Sequence, residues 1–258
     1  MIVDVRLPRA ELLKLRKRRG VWIPAAFLTV GAIAIMFLII ELFHVANAAK
    51  YGPAGGTSNF EHALLLMGQL AGMVAAVLVG TSAGTEDLSS GVFRELVATG
   101  RPRTQLFFAR VPGGLSLLLP LVGAAYTLLV VITVWLARTN PTPSVRQFVE
   151  AGLWTWLAAT MIFCLALGLG SLIGSRAAAI SVLLAWLLVV QSILRNISAF
   201  GVGREAMPSV ALDRIAPVTV GDRHDLIPMS STTAVLVIVL WAVVPLAAGW
   251  WRTRTRDA

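Results

Sequence analysis

The sequence predicts an all-α integral membrane protein with six transmembrane helices, both termini cytoplasmic and an amphipathic helix between spans two and three. Three observations predict it. Hydrophobic residues make up 57% of the chain and charged residues 14%, with a mean hydropathy of +0.79, so the chain cannot cover itself in polar surface. The apolar residues gather into six runs, each near or above the roughly 20 residues that cross the hydrocarbon as helix. Basic residues crowd into alternate connections between these runs. The runs are continuously apolar, whereas barrel strands alternate over about 10 residues, which favours helices over a barrel.

In chain order, residues 1–20 contain PRAELLKLRKRR, expected either to lie along the inner interface as a short helix among anionic headgroups or to act only as a topogenic charge cluster. Span one is 21–45. A basic region, this run and Ala46-Asn47-Ala48 follow the order of a secretory signal, but the run exceeds a signal core of about 7–15 residues. Span two is 62–83, the charged segment is 84–110 and span three is 111–137. Residues 151–199 would overshoot any bilayer as one helix at about 1.5 Å per residue, so they divide into spans 151–174 and 177–199 with a tight turn at Gly174-Ser175-Arg176. The longest outer segment, 195–231, holds SVALDRIAPVTV between Pro208 and Pro217, readable as a short amphipathic cap over an exit or as a solvated loop. Span six is 232–251. Pro24, Pro112, Pro120 and Pro245 lie in or at the ends of spans, where neighbouring helices satisfy the freed carbonyls. Residues 1–258 thus form one transmembrane domain.

With a cytoplasmic amino terminus, 15 of the 22 Lys and Arg fall inside, namely seven from Arg6 to Arg19, then Arg94, Arg101, Arg103, Arg110, Arg176, Arg252, Arg254 and Arg256. The seven outer cations are matched by seven acids, so the whole formal charge of +9 lies on one face, as the positive-inside rule requires. Trp22 and the Trp250-Trp251 pair fit interfacial anchoring.

Between Gly84 and Arg110 the apolar residues Leu88, Val92, Phe93 and Leu96 recur at helical spacing among Glu86, Asp87, Arg94 and Glu95. Gly100-Arg101-Pro102 then breaks the pattern. An amphipathic segment outside the bilayer has no lipid for its stripe, which points to docking of a partner.

Motifs for chemistry are mostly excluded. Gly80-Thr81-Ser82-Ala83-Gly84-Thr85 and residues 52–58 lack the lysine of a phosphate loop, so ATP chemistry would belong to a partner. His44, His62 and His224 show no metal-site spacing, and Cys164 is alone, the default being a buried packing thiol. Ser171 in Gly168-Leu169-Gly170-Ser171 has no histidine near it to act as a base; Gly170 to Gly174, Gly68 to Gly72 and Gly80 to Gly84 read more simply as faces for close helix packing. Glu41 with His44, Gln69, and Gln191 with Arg195 are the intramembrane polar groups, all toward the outer boundary. They support no central proton or cation relay; Glu41, Gln69 and Gln191 are candidates for a substrate path, with snorkelling interface residues as the alternative.

The start ELLKLRKRRGVW, the segment Asp87-x3-Gly91-Val92-Phe93-Arg94 followed by Arg103, and the turn GSRAAAIS, in this order among six spans, resemble the ABC-2 type permeases of ATP-binding-cassette exporters, nearest to the bacitracin-resistance, lantibiotic-immunity and sodium-efflux kind. The resemblance implies that 84–110 is a cytoplasmic coupling helix seated in a groove of an ATPase subunit. It implies ATPase-docking roles for Glu86, Asp87, Gly91, Val92, Phe93, Arg94, Leu96 and Arg103, with an acid four residues before the glycine and an arginine twelve after it. Gly100 stands where that pattern commonly has proline. The family assembles from two permease copies and two ATPase subunits that hold ATP and Mg, so this chain is expected to be a transport subunit of the cell membrane with no cofactor and no catalysis of its own. Its substrate class stays open between amphipathic drug, peptide antibiotic, lipid and cation. A six-span intramembrane enzyme and a non-transporting anchor or signalling partner are the alternatives.

Overall fold

A computed structural model describes residues 6–89, 95, 98, 100–218 and 227–255, with backbone alone at 88, 89 and 198. A short amphipathic helix, α1 (Arg6–Lys17), precedes six helices long and apolar enough to cross a membrane. These are α2 (Arg19–Ala46), α3 (Thr57–Asp87), α4 (Arg103–Trp135), α5 (Val145–Ile173), α6 (Arg176–Asn196) and, after the short α7 (Pro208–Ile215), α8 (Ser231–Thr255). No strand occurs among the described residues. The chain is a multi-pass membrane protein.

Five of the six long helices are longer than the apolar stretch expected for them, and α6 is shorter, ending at Asn196 rather than at 199. Helix α4 begins at Arg103, eight residues before the expected 111, because the helical ladder needs no apolar side chains to continue beyond the hydrocarbon. Its start follows from Gly100 at φ 79 and an extended Pro102, so the expected break is where the chain turns. Helix α5 starts at a capping box in which Ser144 Oγ accepts from the Gln147 amide and the Gln147 side chain accepts from the Ser144 amide. It ends on Gly174, whose φ of 77 is the left-handed conformation a glycine cap adopts without a Cβ clash, and Ser175 caps α6 at once. That is the tight turn the sequence calls for.

Helices α3 and α5 form the centre: 67% of the most apolar stretch of each is buried, against 22% for α2, α6 and α8 and 33% for α4. The large apolar side chains of the outer helices, such as Phe27, Leu38, Val131, Val189 and Leu240, are exposed, as lipid-facing residues are. Small residues let the central backbones touch. A Cβ on Gly80 would stand 2.7 Å from the Phe163 carbonyl, and one on Gly84 2.5 Å from the Leu167 carbonyl. Gly168 and Gly249 do the same between α5 and α8, where a Cβ on Gly168 would lie 2.2 Å from the Pro245 carbonyl.

Three helices contain a π turn: Phe27–Gly31 in α2, Met67–Ala71 in α3 and Ala185–Val190 in α6. Each widens the ladder by one residue and turns the following side chains to a new face.

Candidate functional site

Polar groups concentrate at the two ends of the bundle. At the basic end, which carries α1, the start of α4 and the end of α8, an ion network ties the amino-terminal helix to the core. Lys14 Nζ of α1 lies 2.7 Å from Asp87 Oδ1 at the end of α3 and 2.7 Å from Glu11 Oε1. Asp87 Oδ2 accepts from Arg110 Nη2 of α4 at 3.0 Å. Arg110 is 0% exposed and Asp87 3%, so this pair is desolvated. Arg110 Nη1 and Ser171 Oγ both donate to the Gly84 carbonyl, at 3.4 and 3.2 Å. Beside them Arg18 Nε donates to Glu86 Oε1 at 2.7 Å.

The electrostatics follow from this packing. Burial, reinforced by the Asp87 carboxylate, pushes the Glu11 carboxyl above its ordinary 4.5, with Lys14 opposing. Burial works against the Lys14 ammonium, but Glu11 and Asp87 outweigh it and hold Lys14 above its ordinary 10.5. Arg176, at the head of α6, donates to the Gly20 carbonyl at 3.5 Å. That carbonyl lacks its usual helical partner because Pro24, four residues on, has no N–H.

The opposite end holds two separate polar clusters. In the first, Glu41 Oε1 accepts from Arg138 Nη2 at 2.7 Å and Glu41 Oε2 from the Ala54 amide at 3.3 Å. Arg138 Nη1 donates to His44 Nε2 at 2.8 Å, which leaves His44 Nδ1 as the donor to the Tyr51 carbonyl at 2.7 Å. Arg138 itself sits at φ 48, a left-handed conformation uncommon for a side-chain-bearing residue. The cluster latches the connection after α4 onto α2.

In the second cluster, α7 turns inward and buries Pro208, Val210, Ala211 and Leu212, so segment 195–231 contains the amphipathic piece and not merely a solvated loop. Leu212's carbonyl accepts from Trp154 Nε1 of α5 at 3.0 Å. Asp213 accepts from Gln69 of α3 and pairs with Arg195 of α6. Burial raises the Asp213 carboxyl above its ordinary 3.8 against the pull of Arg195 and Gln69. Beneath α7 lies a cavity of about 130 Å³ bounded by α3, α5, α6 and α7.

The residues singled out in the sequence are distributed as follows. Gln69 and Gln191 meet in this cavity, whereas Glu41 belongs to the Arg138 latch. Glu86 is engaged by Arg18, between α1 and α2, and Asp87 by α1 and α4, while Arg103 Nη1 donates to the Arg254 carbonyl at 3.1 Å. Gly91, Val92, Phe93, Arg94 and Leu96 lie outside the described residues, as does part of 195–231; Glu95 and Ala98 are helical and exposed. Of the small-residue faces, Gly68 lies against the Trp154 ring, Gly80, Gly84 and Gly170 stand between α3 and α5, Gly72 closes the π turn over the Met67 carbonyl, and Gly174 is a helix cap. Arg110, counted above with the loop cations, is a fully buried core residue. Its signal was legible: an arginine inside Phe107-Phe108-Ala109-Arg110-Val111 must find an acid, and Asp87 precedes it across one connection. Glu11 and Lys14, three apart on one helix face, carried no comparable sign.

No group of three or more His, Cys, Asp or Glu poised for a metal occurs among the described residues. No family model matches the chain, and no curated protein matches it.

Proposed function

We propose that this chain is the permease subunit of an ATP-driven exporter, with the basic end in the cytoplasm and segment 84–110 docked on a separate ATPase. The reading rests on the ABC-2 resemblance of the sequence. One structural observation supports it best: both anchors of that segment, the end of α3 and the start of α4, are locked to each other and to α1 through Asp87, Arg110 and Lys14. A push on the segment would therefore be passed to α3, a central helix, and to α4 together rather than absorbed in a loose loop. Along α3 from Asp87, Gln69 contacts Asp213 of α7, so the helix that would receive the push also bears on the α7 clasp. The chain carries no phosphate-loop motif of its own; hydrolysis belongs to the partner, and a second permease copy completes the pathway.

The test is co-expression with a separate ATP-binding-cassette ATPase subunit from the same source, read as co-purification and as ATP turnover of the complex. Replacing Val92, Phe93 and Leu96 by Ser should abolish both while leaving the isolated permease folded. At about 1.5–3 kcal/mol per large apolar group buried, the loss amounts to several orders of magnitude in affinity. Full retention of complex and turnover would overturn the docking assignment, and a complex whose turnover responds to no exported compound would favour an anchor over a transporter.

A further inference from the structure

We propose that the cavity beneath α7 is a binding site for the neutral amide head of an amphiphile, its apolar body lying between α6 and the lipid. The wall is apolar, made by Met73 of α3, Met161 and Ile162 of α5, and Leu187 of α6. The polar end is built. Gln191 is 2% exposed, and its Oε1 accepts from the Ser209 amide at 3.2 Å. A backbone N–H can only donate, so that contact fixes the orientation of the side-chain amide and turns Nε2 away from Ser209, with no protein acceptor among the described residues. Gln69 gives its N–H to Asp213 and has its carbonyl oxygen uncommitted. The cavity therefore offers a free donor pair from Gln191 and a free acceptor from Gln69 at an otherwise apolar wall, and a ligand gains most by matching both.

Charge decides against an ion. Arg195, the cation on the lining, is paired with Asp213, so an anion would meet a carboxylate behind the guanidinium and a cation would meet the guanidinium itself. An amide presents one acceptor and one donor with no charge, and so complements what is left unpaired. Size limits the ligand to its head: about 130 Å³ is close to the cavity that holds a benzene ring, roughly six heavy atoms. The remainder must leave past Leu188 and Ser192, both exposed at the rim. The local backbone is consistent with a shaped site. Gln69 lies within the π turn Met67–Ala71 and Gln191 directly follows the π turn Ala185–Val190, and such turns recur at functional sites.

This assignment deepens the transport reading by naming a substrate class, yet binding needs neither ATP nor a partner, so either can fail alone. The experiment is photolabelling of the full chain in maltoside micelles with octanamide bearing a diazirine at C3, beside the amide and within the part of the ligand the cavity holds, with adducts mapped by mass spectrometry. We expect labelling at Met73, Met161 and Leu187, suppressed by unlabelled octanamide at concentrations on the order of tenfold below octyl acetate, octanoate or octylammonium. Gln191→Leu should weaken capture roughly tenfold, the effect of leaving one ligand group unpaired. Should that variant misfold, Ser192→Trp, which blocks the rim without touching the core, should remove the cavity adducts while the unfolding temperature is unchanged. Labelling spread over the lipid-facing helices, equal competition by the ester or the carboxylate, or full capture by folded Ser192→Trp would overturn the proposal.

Discussion

Arg110 and Asp87 show what a single residue must do inside a membrane protein. A guanidinium with no exposure is tolerable only because Asp87, the Gly84 carbonyl and Lys14 surround the charge pair. Removing one partner strands the other, so Arg110→Met should cost about 3–5 kcal/mol, read as a lower unfolding temperature in detergent. The double variant Arg110→Met with Asp87→Leu should lose less than the sum of the single changes, because neither charge is then left alone. Asp87 variants are for this reason poor reporters of partner docking, since they act first on the fold. The network also predicts an alkaline limb. Lys14 is held above 10.5 in the folded chain, so its contribution is complete below 10.5 and is lost as pH rises through the raised value. Lys14→Gln should flatten the fall in stability as pH rises above 10.5 relative to the parent chain, as read by tryptophan fluorescence; an unchanged slope would remove Lys14 from the network. Glu11 has the same sign in another range, adding stability below about pH 4.5 that fades as pH rises through its raised value.

At the scale of elements, the packing of α5 against α3 and α8 is set by where a Cβ fits. Gly168→Ala would put a methyl 2.2 Å from the Pro245 carbonyl, and backbone cannot step aside as a side chain can. We expect at least 1–3 kcal/mol of destabilisation and loss of folded protein on gel filtration, the usual cost of overpacking. Gly123→Ala, whose nearest neighbour would be Trp156 at 3.7 Å, should behave as the parent chain. Much of this scale was legible beforehand. The six spans and the turn at Gly174 follow from apolar length and from a glycine-serine pair, both local properties. The inward docking of α7 was only half legible: SVALDRIAP has the right periodicity, but whether its stripe meets protein or water depends on Trp154 and Gln69, 58 and 144 residues from their bonded partners. The π turns left no sign, since an inserted residue does not change composition. The latch of Glu41 by Arg138 escaped for a similar reason, as it spans 97 residues and rests on a left-handed arginine.

At the scale of the whole molecule, the positions of the charges carry the orientation. Arg6 to Arg19, Arg101, Arg103, Arg176, Arg252 and Arg254 gather at the end that bears α1, where they outnumber Glu11 and Glu86, while the opposite end neutralises Arg138 with Glu41, Arg146 with Glu150 and Arg195 with Asp213. Cations paired in this way add no net charge on their side, so the excess at the basic end is what an insertion machinery and anionic headgroups would read. The asymmetry gives a direct prediction. Cysteines placed singly at exposed Arg252 and exposed Lys50, with Cys164 replaced by Ala, should react with a membrane-impermeant maleimide from opposite sides of sealed cells. The Lys50 position should label in intact cells, and the Arg252 position only after the membrane is opened. Reversed accessibility would put segment 84–110 outside the cell, away from ATP, and the transport reading would fall with it even though every helix and ion pair stayed in place.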